Sequence, residues 1–171
     1  MAADADAVYR LRTDLTEWLC DRGIEQWEPD DIALGSVQDA IAAGHVHVVE
    51  RDGVLLASVT VTWEDPLVWD EPGGTDDGVG YIHMLMVGRA WAGRGIGRDL
   101  LAWAEGHIAG RPRPLARLDC VRSNDRLRAY YEHAGYRLVG FKDFPAITWA
   151  RETALYEKRL SGRPRWSAAP A

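Results

Sequence analysis

The sequence predicts a single α/β (α+β) domain, a mixed and mainly antiparallel sheet flanked by helices, over residues 1–161, with a loose tail at 162–171. Three observations carry this. Apolar residues near the N-terminus recur at helical spacing. An Asp52-Gly53 pair joins two β-branched runs, and a glycine-rich turn at Gly93, Gly95 and Gly97 stands between a strand-like and a helix-like segment. A chain of 171 residues suffices for one core that buries roughly 70% of the unfolded surface, and leaves no room for a second full domain.

In chain order, Val8, Leu11, Leu15, Trp18 and Leu19 give a first helix over Asp6 to Arg22, stopped by Gly23. Trp27, Ile32, Val37 and Ile41 predict a second helical stretch, with Pro29 near its start and Gly44 at its end. His45 to Glu50 and Val54 to Trp63 read as an antiparallel hairpin. Pro66 to Gly80, rich in proline, glycine and acids, reads as a long loop before a strand at Tyr81 to Val87. After the glycine turn come a helix through Ile108, a strand at Leu115 to Val121 and a helix opened by Asn124 and closed by Gly135. Two further strands are expected at Tyr136 to Phe144 and Thr153 to Leu160.

Composition narrows the function. Twenty basic against 26 acidic residues leave a net charge of −6, which argues against nucleic acid as the partner and favours cations. No apolar run reaches the ~18 residues of a membrane span. With two cysteines and an acidic start lacking a secretory stretch, the chain reads as cytoplasmic and reduced. His45 and His47 alternate on one strand, but no third ligand stands at zinc-like spacing, so no metal is expected.

A glycine turn between strand and helix presents backbone N–H groups to a ligand, and the helix terminus adds partial positive charge, a combination suited to phosphate. Leu100 stands where a dinucleotide-binding motif needs its third glycine, and the Lys-Ser/Thr ending of a P-loop is missing. A nucleotide-binding rival keeps Asp119 as a ribose acid, but the upstream hairpin does not fit a doubly wound parallel sheet.

At Leu85-Met86-Val87 followed by Ala92-Gly93-Arg94-Gly95-Ile96-Gly97, the chain resembles the GNAT superfamily of acetyl-coenzyme A-dependent N-acetyltransferases. A second pattern in register, Asn124, Leu127, Tyr130, Tyr131, Gly135 and Tyr136, strengthens the likeness, which covers Tyr81 to Phe144. The resemblance implies acetyl-CoA as donor, with Gly93, Arg94, Gly95, Ile96, Gly97 and Arg98 around its pyrophosphate. It also implies main-chain groups of Leu85, Met86 and Val87 along the pantetheine, Asn124 beside it, and Tyr131 as general acid to the departing thiolate. Ala92 departs from the usual Gln or Arg, for which Arg89, Arg94 or Arg98 would substitute; Leu127 replaces Ala; and the family's first strand is not evident before the first helix.

Acetyl transfer needs a neutral amine, an oxyanion donor and a proton for the thiolate. Main-chain N–H of Leu85 or Met86 is the expected oxyanion donor. Strand alternation puts Tyr81, His83, Leu85 and Val87 on one face, making His83 the first candidate base, as in the similar arylalkylamine acetyltransferases, with Glu64 or water second. Trp27, Glu64 and Tyr81 are expected near the amine, with Trp63 and Trp69 also in segments bordering that side; Trp18 and Trp103 read as packing. The sequence therefore predicts an N-acetyltransferase of a primary amine, of a small molecule in the first instance, and homodimer pairing is common in the resembled family. A peptide or protein acetyltransferase, or an acyl-CoA-binding module without turnover, are the alternatives.

Overall fold

The computed structural model describes residues 2–29, 31–69, 78–144 and 152–161. The elements run α1 (Ala2–Cys20), α2 (Leu34–Ala42), β1 (Val46–Arg51), β2 (Val54–Thr62), β3 (Val79–Val87), a 3-10 turn (Arg89–Trp91), α3 (Ile96–Ala109), β4 (Leu115–Val121), α4 (Asp125–His133), β5 (Arg137–Asp143) and β6 (Glu152–Arg159). They form a mixed six-stranded sheet of order β1-β2-β3-β4-β6-β5, antiparallel throughout except for the β3–β4 pair.

Each sheet face carries its own core. On one face Val59, Val61, Ile82, Leu118 and Tyr156 pack under Leu101 and Ile108 of α3 and Tyr131 of α4. Each such aliphatic side chain contributes about 1.5–3 kcal/mol through burial. On the other, Ala5, Val8, Leu11 and Leu15 of α1 meet Val37 of α2 and Met86 of β3. Ala5 extends the α1 stripe by a turn, so that helix begins earlier than its larger apolar residues predict. No strand precedes it among the described residues.

The second helix starts at Leu34 rather than near Pro29. Both oxygens of Asp31 receive Arg12 Nη2 at 2.6 Å, the two side chains are 3% and 4% exposed, and the Arg12 guanidinium lies 3.9 Å over the Trp27 ring. This buried charge pair fixes the chain before α2 in a non-helical course. The hairpin turn behaves as its sequence dictates: Asp52 and Gly53 both take positive φ, 52° and 75°, the geometry of a type I′ turn.

Strand β3 shapes the site. Ser58 pairs with Met86 and Thr60 with His83, so Val59 opposes two residues, Met84 and Leu85, in a bulge where Met84 has φ 44°. The bulge resets the alternation. Leu85 and Val87 join Ile82 on the α3 face, whereas Met84 and Met86 join the α1 face. His83, paired with Thr60, lies on the α1 face with Tyr81, so the expectation of Tyr81, His83, Leu85 and Val87 on one face is corrected. Beyond Ile82 and Leu118 the parallel pairing of β3 with β4 ends, although β4 stays paired with β6 to Val121. A wedge opens between residues 83–87 and 119–121. Val79 and Gly80, placed in the long loop by sequence, begin β3; residues 70–77 and the tail from 162 lie outside the described residues. No helix among the described residues is long and apolar enough to cross a membrane.

Candidate active site

The glycine turn closes the wedge at one end. Gly93 and Gly95 have φ 77° and 82°, and Gly95 is the left-handed residue before α3. No side chain caps that helix, so its first-turn N–H groups keep their capacity for an anion. A Cβ on Gly97 would lie 3.4 Å from Val87 Cγ2 and 3.5 Å from the Tyr130 hydroxyl, so the helix start abuts both the end of β3 and α4. Three arginines border the turn. Arg89 lies 3.7 Å over Trp18, which also carries Arg22 at 4.2 Å; Arg94 lies 5.0 Å over Trp91; and Arg98, largely exposed, pairs with Asp99 at 3.0 Å. Gly93, Arg94, Gly95, Ile96, Gly97 and Arg98 are thus contiguous with the wedge flanked by Leu85, Met86 and Val87.

Across the wedge stands α4. The Asn124 side chain caps it, accepting from Leu127 N at 3.1 Å, while its Nδ2 donates to Gln26 Oε1 at 3.1 Å. Tyr131 is 7% exposed among Tyr130, Tyr136 and Tyr156, and burial first of all pushes its hydroxyl well above the ordinary 10, so it stays protonated across the physiological range. Tyr130, read from sequence as packing, has its hydroxyl occluded without a partner beside Gly97.

On the α1 face the wedge is lined by groups from three elements. His83 of β3, Asp119 of β4 and Asp65 of the segment after β2 each offer one ligating atom, all within 4.8 Å of one another. The strand pattern explains Asp119: Ala116, Leu118 and Cys120 face the α3 core, which turns Asp119 to the opposite face, just past the last β3–β4 pair. Asp65 is held by its own turn, Oδ1 accepting from Val68 N at 3.1 Å and its carbonyl from Trp69 N at 2.9 Å. Its Oδ2 is occluded without a hydrogen-bond partner and lies 4.0 Å from His83 Nε2. Burial, and after it Asp65, pushes the Asp119 carboxyl from 3.8 to about 7. Burial lowers His83 against the opposing pull of Asp65, with His45 adding to the lowering, so its imidazole is neutral at pH 7.

Hydrogen bonding assigns the His83 proton. Thr62 Oγ1 donates to the Glu64 carbonyl at 3.0 Å and lies 3.0 Å from His83 Nε2. With its one hydrogen committed to that carbonyl, the threonine accepts from His83, whose Nε2 then carries the proton.

The other expected residues are dispersed. Tyr81 is buried 6.3 Å from the Trp69 ring, and Trp69 packs with it against Val79. The exposed Glu64 enters the Thr62 bond through its carbonyl, whereas its neighbour Asp65 supplies the side chain in the trio. Trp27 packs under Arg12, and Trp63 lies toward α3 near His107, 5.8 Å away, and Arg111. His47 packs on Trp103 and His107. Asp65 escaped sequence reasoning, and Asp119 entered it only as a ribose acid; the β4 alternation alone would have aimed Asp119 at the face of His83.

The sequence profile of the Acetyltransferase (GNAT) family matches residues 12–136. The Bacillus subtilis (strain 168) protein named Uncharacterized N-acetyltransferase YesJ is 37% identical over 144 residues, covering 80% of this chain and 78% of that one. Among solved structures, a GNAT acetyltransferase from Listeria monocytogenes 4b F2365 superposes with TM-score 0.74 at 24% identity, covering 94% of this chain and 91% of its own. The yncA protein of Salmonella typhimurium, a putative acetyltransferase solved with acetyl-CoA, gives TM-score 0.66 at 16% identity over 100% of this chain and 94% of its own. With the profile spanning most of the sequence, a relative at this identity, and a fold in common, the chain belongs to the acetyltransferase (GNAT) family.

Proposed function

We propose that the protein moves the acetyl group of acetyl-CoA to the primary amine of a small molecule, in the cytoplasm. The observation that carries this reading is the alignment of an uncapped helix start behind Gly93, Gly95 and Gly97 with the wedge that β3 and β4 open next to it. A diphosphate at the helix start leaves the thioester arm to run along Leu85–Val87, with main-chain N–H of this segment toward the thioester oxygen. Arg94 and Arg98, both exposed beside the turn, offset the missing side chain at Ala92. Tyr131 acts as the acid, and protons leave the amine at the His83–Asp119 end. Trp69, packed on Tyr81, and Asp65, beside His83, border that end and support a compact acceptor, and the net charge of −6 favours a cationic one.

The test is calorimetric binding of acetyl-CoA together with release of free thiol on addition of an amine panel. Tyr131→Phe keeps the packing volume and removes one proton donor. It should bind acetyl-CoA as wild type does and turn over ~100-fold more slowly, the usual contribution of a positioned acid. Unchanged turnover removes Tyr131 from the mechanism, and a protein that binds acetyl-CoA yet releases no thiol with any amine is a binding module.

A further inference from the structure

We propose that Asp65 and Asp119 together receive the protonated head of a primary alkylamine, and that Asp119 is the group that takes its proton; the inference rests on the acetyl-transfer reading. It starts from an imbalance. Two carboxylates share one partly enclosed site, and among the described residues no lysine or arginine pairs with either, His83 at 4.0 Å from Asp65 being the nearest basic group. Asp65 is 9% exposed, and its Oδ2, aimed into the trio, has no hydrogen-bond partner. A buried carboxylate oxygen in that position costs stability unless a cation or donor arrives to meet it.

Spacing indicates which cation. An ammonium nitrogen about 2.8 Å from each of two oxygens, with tetrahedral N–H directions, holds them about 4.6 Å apart. Zinc ligands at about 2.0–2.2 Å in a tetrahedron sit only about 3.4 Å apart. The trio's atoms all lie within 4.8 Å of one another, a span that admits an ammonium, and the pair His83 Nε2 to Asp65 Oδ2, at 4.0 Å, is wider than a tetrahedral zinc holds its ligands.

Of the two carboxylates, Asp119 stands on the strand that borders the wedge, just past its last pair with β3, and is assigned the proton, while Asp65 holds the ammonium from the loop. His83 donates through Nε2 to Thr62, which leaves it an orienting residue rather than a base at that nitrogen. Asp119 faces Asp65 from the loop and His83 from β3, is paired with the apolar Leu155 on β6, and has Cys120 and Tyr131 on its other side. Its carboxylate takes one proton from R–NH3+, giving R–NH2 and the carboxylic acid. The nitrogen lone pair forms the C–N bond at the thioester carbon. As the C–S bond breaks, sulfur takes the Tyr131 proton, and the now positive nitrogen gives its second proton to the phenolate. Asp119 then releases its proton to solvent, so the sum is amide, thiol and one H+.

The experiment has two arms. In the first, kcat/KM is followed against pH for n-butylamine and phenethylamine, which are ammonium ions at pH 7.5, and for aniline, which is not. Wild type should favour the alkylamines and show an acid limb with its midpoint near 7. Asp119→Asn should lose ~100-fold on alkylamines, lose that limb and keep its acetyl-CoA affinity, and Asp119→Glu should recover at least a tenth of the rate. Rates that survive EDTA support the assignment. A limb unchanged in Asp119→Asn, an equal loss on aniline, or activity lost to EDTA and restored by zinc overturns it. The second arm needs no turnover: the Asp119 carboxyl carbon is followed by NMR, and n-butylammonium chloride should move its titration midpoint down by at least half a pH unit. No movement overturns the proposal; movement without thiol release from any amine defeats the acetyl-transfer reading and leaves the ammonium site standing.

Discussion

A single carboxyl group sets the energetic character of this site. With its ionisation moved from 3.8 to about 7, Asp119 makes stability depend on pH in a defined direction. Between about pH 4 and pH 7 the unfolded chain has lost this proton while the folded chain keeps it, so stability falls as pH rises through that window, and the full cost applies above 7. At ~1.36 kcal/mol per pH unit the upper bound is about 4 kcal/mol, and the partial solvent contact of Asp119 reduces it. Asp119→Asn should therefore be more stable than wild type by ~1–3 kcal/mol at pH 8, with most of the gap gone at pH 4.5. Urea unfolding at the two pH values measures this, and a variant less stable at pH 8 would mean that the carboxylate is compensated in the folded state. A residue that costs stability where it is ionised fits a group held for binding rather than for the fold.

The connection from β3 to α3 is where local sequence and function coincide. At Gly95, with φ 82°, an alanine would carry the left-handed penalty of about 1–2 kcal/mol, while the nearest atom to its Cβ would be the flexible end of Arg98 at 3.2 Å. Gly95→Ala should lower stability by ~1 kcal/mol and weaken acetyl-CoA by ~10-fold, because relief of the strain tilts the N–H groups at the start of α3. Thermal unfolding and acetyl-CoA calorimetry separate the two effects; unaltered affinity would place the diphosphate elsewhere. This turn, the Asp52-Gly53 hairpin and the Asn124 cap were legible because each is written in a few adjacent residues whose backbone demands are strong. The β3 bulge was not. Its left-handed residue is Met84, no glycine or proline marks it, and with the bulge hidden the face of Leu85 relative to His83 came out reversed. The start of α2 was misplaced for a related reason: Asp31 answers to Arg12 across 19 residues, a pairing no local pattern announces. Asp65 and Asp119 likewise meet only once β4 lies beside β3.

Charge is distributed over the molecule so that its two ligands meet different fields. The chain as a whole carries −6, and the uncompensated Asp65–Asp119 pair sits at the acceptor end, while Arg89, Arg94 and Arg98 gather about the glycine turn at the other. An alkylammonium approaching the acceptor end is attracted both by the net charge and by the local pair. An anionic donor is repelled by the first and attracted by the arginines. Salt screens exposed charges over about 10 Å at 0.1 M, so it weakens the approach of the amine, whereas the opposing contributions to the donor's approach partly cancel. Raising NaCl from ~20 to ~500 mM should lower kcat/KM for n-butylamine by roughly 3–10-fold through KM, leave kcat nearly constant, and change kcat/KM for acetyl-CoA by less than about 2-fold. In Asp119→Asn the amine dependence should flatten, because one of the two charges that draw the ammonium is gone. An amine KM indifferent to salt in the wild type would mean that the acceptor arrives uncharged, and the carboxylate pair would then need another partner.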